Sequence, residues 1–499
     1  MKAIGLVLVC SVAVLAHGMA TQTTIPEGTQ EAPLSGETET CVECHRQSNP
    51  GIVIDWMKSR HAQVTPESAL HRLPLERRVS SGAIPEELRS VAVGCYECHS
   101  LNPSLHKDSF EHFGAHIHVI VSPNDCRTCH STEVEQYAES KKARAVDNLR
   151  MNPVYTDLVE AIISVKTVED KGISRRRASN TAEGETCYDC HGTNVSVAGL
   201  KVIPSGLGEI EVPDLRNWPN QGVGRVNPDG SYGACTACHP RHSFSIEIAR
   251  KPYTCGQCHL EPDVPSYNVY KESKHGNIMD SKKHEWNWSA VPWRVGEDFR
   301  APTCAVCHNS LIATPEGHVI VPRTHDFGAR LWVRLFGLIY SHPQPKSGKT
   351  YLVKNEDTLP LPTTLTGSPA SEYLIDPSEQ LKRQDRMKRL CQSCHSAGWV
   401  SGHFTQLDTA IIETDSMVLA ATQLLLDAWN RGVADKSNLF DEAIEQKWIE
   451  QWLFYANSNR YASAMAGPDY ASFKSGWWKL THTLQAMKDH IKLSGRTKK

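Results

Sequence analysis

Gly233-Ala-Cys235-Thr-Ala-Cys238-His239 is followed closely by Thr254-Cys255-Gly-Gln-Cys258-His259. Both stretches read Cys-x-x-Cys-His. Working outward, the pattern recurs at Cys41/Cys44/His45, Cys95/Cys98/His99, Cys126/Cys129/His130 and Cys187/Cys190/His191, and again at Cys304/Cys307/His308 and Cys391/Cys394/His395. The eight copies absorb all but one (Cys10) of the 17 cysteines. This is the attachment motif of c-type haem: two thiols add to the porphyrin vinyl groups and the adjacent imidazole reaches the iron. Disulfides and zinc sites also use paired cysteines, but neither needs a histidine after every second one. With 24 histidines in 499 residues, eight such coincidences have a chance below about 10⁻¹⁰. Eight covalent haems are expected.

Sixteen histidines lie outside the motifs, counting 24 less eight. That surplus suits a second axial imidazole on most irons. Iron held by two histidines is saturated and transfers electrons, whereas an iron left open is where a substrate binds.

Composition narrows the class. Apolar residues make up 40% and charged residues 22%, as in a globular chain. Lys+Arg 53 against Asp+Glu 56 argues against a nucleic-acid partner. Lys2, the apolar run Ile4–Leu15 and Gly18-Met19-Ala20 read as a secretory signal cleaved after Ala20. No other stretch reads as a membrane span, so a soluble exported protein is expected, with no transmembrane anchor after cleavage. The expected organisation is a signal peptide at 1–20, a polar tether at 21–40, an octahaem-binding domain at 41–403 and a C-terminal helical and oligomerisation region at 404–499. The Pro/Ser/Thr-rich segment 341–385 reads as a long surface loop. Ile411, Val418, Ala421, Leu425 and Ala428 recur at helical spacing with Gly432 as a stop. Ser437 or Asn438 is the expected cap of a second long helix carrying Phe440, Ile444, Trp448 and Trp452 on one face. Strand-like alternation is scarce. The fold class is mainly α, a multihaem cytochrome c with long loops around a haem stack and a C-terminal long-helix region. Arg175-Arg176-Arg177 reads as a solvated charge run.

Longer runs carry a resemblance. Gly224-Arg-Val-Asn-Pro-Asp-Gly-Ser-Tyr-Gly233 leads into the fifth motif, Arg241-His242-Ser-Phe-Ser245 follows it, and Glu272-Ser-Lys-His-Gly276 follows the sixth. With Asn152-Pro-Val-Tyr-Thr-Asp157, Thr324-His-Asp326 and Trp399-Val-Ser-Gly-His-Phe404, these runs resemble the octahaem hydroxylamine oxidoreductase family. That family includes hydrazine dehydrogenases and related reductases of anaerobic ammonium oxidisers.

The resemblance implies a five-coordinate catalytic haem at Cys187/Cys190/His191 and seven bis-His haems. By position the distal ligands are His61, His112, His118, His242, His275, His325 and His403, with His71, His106 and His116 in reserve. In oxidising members a tyrosine from a neighbouring subunit cross-links to the catalytic haem, and Gly467-Pro-Asp-Tyr470 resembles the segment that carries it. Where the family has Asp-His after the sixth motif, this chain reads Asp263-Val264, which leaves Asp263 as the proton acceptor. Lys474-Ser475 is also atypical. The implied activity is oxidation of hydroxylamine or hydrazine, with electrons passing to a cytochrome acceptor. The alternatives are a nitrite or hydroxylamine reductase without the cross-link, and an electron-transfer subunit whose fourth haem is silent beside an active paralogue. A homotrimer or larger assembly, in the periplasm or the anammoxosome lumen, is implied as well.

Overall fold

The computed structural model describes residues 32–497, apart from Lys171, Leu207 and Asn438. The signal peptide, its cleavage point and the tether up to residue 31 lie outside the described residues, as does Asn438.

The chain is mainly α. Each attachment motif sits on or beside a short helical segment. Cys95–His99, Cys187–His191 and Cys304–His308 are single turns that coincide with their motifs. The others ride on Gly36–Ser48, Pro123–Arg127, Cys235–Ala237, Pro252–Gly256 and the end of Pro377–Gln392. A helical turn brings positions i, i+3 and i+4 to one face, which is what two thiols and an imidazole must share to hold one porphyrin.

The tether ends earlier than residue 40. Ser35 caps the first helix by accepting from Thr38 N, and Ala32 packs in a small core with Val42, Val53, Trp56 and Ala92. Two hairpins, Val165–Glu169 with Gly172–Arg176 and Ser196–Ser205 with Gly208–Arg216, were not expected. The three arginines lie exposed on and just after the first hairpin, with Arg177 paired to Glu183 at 2.9 Å.

The segment after residue 341 is largely irregular, but it does not lie wholly on the surface. His342, Leu361, Thr363, Thr364, Leu374 and Ile375 are buried, and the chain turns helical at Pro377. Its polar residues satisfy its own backbone, as where Asn355 Nδ2 donates to Thr363 O at 2.7 Å.

The C-terminal region is one packed layer. Helix Ala397–Asn430 buries Ile411, Val418, Ala421, Leu425 and Ala428 and stops before Gly432 at φ 61°. It begins six residues before His403, so no boundary falls at 403/404. By length and composition this helix is apolar enough to cross a membrane, and a third of that stretch (33%) is buried within the chain. The next helix, Ala443–Ile449, is capped by Glu442 with Glu445, not by Ser437. It runs through a π-helical turn, Glu450–Ala456, into Asn457–Met465. A further helix, Trp477–Thr497, completes the layer. Trp448 and Trp452 are fully buried in its core. Trp448 Nε1 donates to Thr422 Oγ1 at 2.9 Å.

Candidate haem-binding and catalytic site

All 16 motif cysteines and all eight motif histidines line one connected cavity of about 2870 Å³. That is roughly three to ten times an ordinary small-ligand pocket. The sixteen cysteines are free of disulfides. Their thiols place the motifs in order. Cys41 lies against Cys95, Cys126 against Cys235, Cys190 against Cys258 and Cys255 against Cys304. Cys98 lies near Cys129, Cys238 near Cys255 and Cys258, and Cys307 near Cys391. The motifs therefore form a row, one-two-three-five-six-seven-eight, with the fourth branching from the sixth.

The seven histidines chosen as distal ligands, His61, His112, His118, His242, His275, His325 and His403, all line this cavity. Four of them face a motif histidine. Ring centroids are 6.2 Å apart for His45 and His112, 6.0 Å for His99 and His118, 6.2 Å for His130 and His61, and 6.1 Å for His395 and His275. Metal–imidazole bonds of about 2.0–2.1 Å on both sides of an iron put two centroids roughly 6 Å apart, so these pairs have the spacing of axial ligands. Burial lowers the pKa of all seven, to about 4 for His61, His118, His242 and His325. Only a neutral imidazole can ligate iron. Buried ring nitrogens of His61, His118 and His325 lack a hydrogen-bond partner, and His99 Nδ1 meets His118 O at 2.8 Å, which leaves its other nitrogen for a metal. The residues present fit c-type haem.

The reserve histidines do not line the cavity. His71 and His116 are exposed. His106 is buried; desolvation pulls its pKa down, but the hydrogen bonds it donates to Asp108 and Asp125 outweigh this and hold it at about 9.

Around the fourth motif the backbone is closely packed. Gly192, directly after His191, has φ 96° and ψ 156°, a region essentially reserved for glycine. A Cβ there would stand 2.2 Å from Arg225 N, and one on Gly224 would stand 2.6 Å from His191 O. Gly192→Ala is expected to cost at least about 1–3 kcal/mol, read as a lower Tm with reduced haem content. A Tm within a degree of the parent would contradict this.

Asp263 lines the cavity, and burial raises its carboxyl pKa. Asn457 Nδ2 holds its backbone oxygen at 3.3 Å. Three lining residues had no signal in the sequence. Tyr461 feels the charge of Asp263, with burial pushing its phenol up to about 12. Lys142 and Arg334 both bear on His191, and Lys142 Nζ lies 3.3 Å from His259 Nε2. Single lysines, arginines and tyrosines carry no spacing that marks them.

Tyr470, the expected cross-linking residue, is buried. It begins the π-helical turn Tyr470–Lys474, is 2% exposed, does not line the cavity, and donates its hydroxyl to Glu261 of its own chain. Lys474 pairs with Glu272.

Residues 229–325 match the multihaem cytochrome CxxCH family, and residues 125–206 match cytochrome c554 and c-prime. A solved structure described as a hypothetical multihaem protein is 45% identical, superposes with a TM-score of 0.89, and is matched over 94% of this chain and 98% of its own. A probable nitrite reductase–hydroxylamine oxidoreductase fusion protein of Kuenenia stuttgartiensis is 30% identical over 288 residues. The chain is a multihaem cytochrome c, similar in part to a hydroxylamine oxidoreductase fusion protein. The match covers 54% of this cytochrome but only 25% of the fusion protein, so the chain spans about a quarter of that relative's length. A reducing HAO-like protein complex of Kuenenia stuttgartiensis shares the fold, with a TM-score of 0.62 and 18% identity over 92% of this chain and 86% of its own.

Proposed function

We propose that this cytochrome is an octahaem oxidoreductase of small nitrogen compounds, with its open iron on His191 and seven bis-His haems along the row, and that it works in the reducing direction. The burial of Tyr470 carries the choice of direction. In this chain Tyr470 is buried with its hydroxyl bonded to Glu261, a placement that supports a haem without the cross-link of oxidising members. This favours the reductase reading over oxidation of hydroxylamine or hydrazine.

Cys187, Cys190 and His191 would hold the haem, which would supply the redox chemistry on nitrogen when bound. Lys142 and Arg334 place positive charge beside it, which suits nitrite or an electron-rich nitrogen oxide. Asp263 holds a proton to higher pH than an ordinary carboxyl does, because burial disfavours its charge, and it delivers that proton to the reduced nitrogen. Tyr461, its phenol kept protonated by burial, offers a hydrogen-bond donor at the same wall. A cytochrome donor, and assembly with a second copy or with a paralogue as in the Kuenenia complex, complete the proposal. Export to the periplasm or an equivalent lumen belongs to it as well.

Haem-stained denaturing gels of protein from its native host, together with viologen-driven assays, test the direction. The expected result is a band at monomer mass and ammonium formed from nitrite or hydroxylamine. A band at three times monomer mass, or hydroxylamine oxidation faster than reduction, overturns it. Val264, in the place of the family histidine, favours a second reading, the electron-transfer subunit with a silent fourth haem. Failure of that haem to bind any nitrogen ligand would select it.

A further inference from the structure

A buried charged cluster adjoins the second motif and takes no part in the reaction proposed above. His106, Asp108, His118 and Asp125 have no solvent-exposed side-chain surface. His106 spans the two carboxylates, with Nδ1 3.1 Å from Asp108 Oδ1 and Nε2 3.1 Å from Asp125 Oδ2. Its ring stacks on that of His118 at 3.5 Å and 5°. Asp125 Oδ2 in turn lies 3.6 Å from His118 Nε2. The carboxylates are themselves anchored. Asp108 accepts from Ile120 N at 3.0 Å, and Asp125 accepts from Ser122 N at 2.7 Å and from Asn102 Nδ2 at 2.9 Å.

His118 is also the ring that faces His99 across 6.0 Å. At 3.6 Å Asp125 bears on the His118 ring through its charge and not through a hydrogen bond, and negative charge beside a metal-bound imidazole strengthens it as a donor. Two carboxylates share one imidazole, which carries at most one positive charge, so the cluster is negative in either state of His106. Negative charge in a dry site beside an iron stabilises its more positive, oxidised form. Asp125 also directly precedes Cys126, so the same residue touches the second haem's distal ligand and rides on the third motif's helix.

We propose that Asp125, braced by His106 and Asp108, is a positioning residue for His118 and holds the second haem at a low reduction potential relative to its neighbours in the row. This rests on the haem assignment of the preceding section. His106, His118 and Asp125 are also close enough to hold a divalent cation, their ligand atoms lying within 4.8 Å of one another, but a His118 bonded to iron is not free to do so.

The test is a spectroelectrochemical and EPR titration of the holoprotein carrying Asp125→Asn, a change that removes the charge and keeps the shape. One midpoint is expected to move upward and one low-spin signal to change its g values, with the remaining haems as in the parent. Asp108→Asn, which leaves the Asp125–His118 contact in place, is expected to move the same midpoint upward by less. It also serves if the first variant loads haem poorly. Parent-like potentials and signals in both variants at full haem content overturn the inference and leave the octahaem reading intact. A stoichiometric non-iron metal in the parent protein overturns it too. A parent protein lacking haem at the second motif would sink both.

Discussion

His191→Ala is expected to lower turnover of nitrite or hydroxylamine by at least about 100-fold while the other seven haems keep their low-spin spectra. The expectation follows from the branch geometry. Motif four meets the rest of the row through Cys190 against Cys258, so disturbing it leaves the seven-motif row unbroken. Loss of outer-shell partners alone typically costs 10–100-fold at metal sites, and His191 is proposed as the ligand itself. Covalent attachment through Cys187 and Cys190, as proposed, would retain the porphyrin. The measurements are steady-state reduction assays with EPR of the same sample. Turnover within about threefold of the parent would mean the chemistry lies at another haem.

Arg460→Met is expected to destabilise the C-terminal layer by about 3–5 kcal/mol, the usual result of leaving one half of a buried ion pair. The Arg460 side chain is wholly buried and pairs with Asp415. It also donates to Leu335 O at 3.2 Å and Asn457 Oδ1 at 3.0 Å. The arginine therefore joins three segments that are far apart in sequence. Methionine fills much of the volume but leaves Asp415 without its cation. The double variant Arg460→Met/Asp415→Leu is expected to recover most of the loss, because no uncompensated charge remains. Chemical denaturation of the holoprotein followed by tryptophan fluorescence reads both. A single-variant loss under about 1 kcal/mol would contradict the account.

The parts of the molecule that were legible from sequence are those in which chemistry fixes spacing. Two thioether bonds and an axial ligand require the same five positions each time, so the eight attachment sites need no fold to be read. The helix at 397–430 was legible because Val418, Ala421, Leu425 and Ala428 repeat its period on a buried face. The hairpins were not, for an equally physical reason. Every residue of Val165–Glu169 is exposed, and most of Ser196–Ser205 is too, so no inner face imposes alternation. The segment 341–375 misled through its prolines and threonines, of which Pro345, Pro362, Thr363 and Thr364 are buried among local hydrogen bonds such as Asn355 Nδ2 to Thr363 O. At the site, the histidines around the cavity were found from motif and family likeness. Lys142, Arg334 and Tyr461 are brought together by tertiary contacts, and the His106–Asp125 cluster by a short hairpin whose side-chain pairing no spacing marks.

The order of the motifs in space makes the sixth a crossroads. Its Cys255 and Cys258 meet thiols of the fourth, fifth and seventh motifs. Motifs one, two, three and five lie upstream of that junction, and seven and eight lie on its far side. Traffic entering at either terminus of the row reaches the proposed reaction centre by a single shared last step. Losing any outer member would shorten one arm and leave the other open, whereas losing the sixth would strand the centre from both.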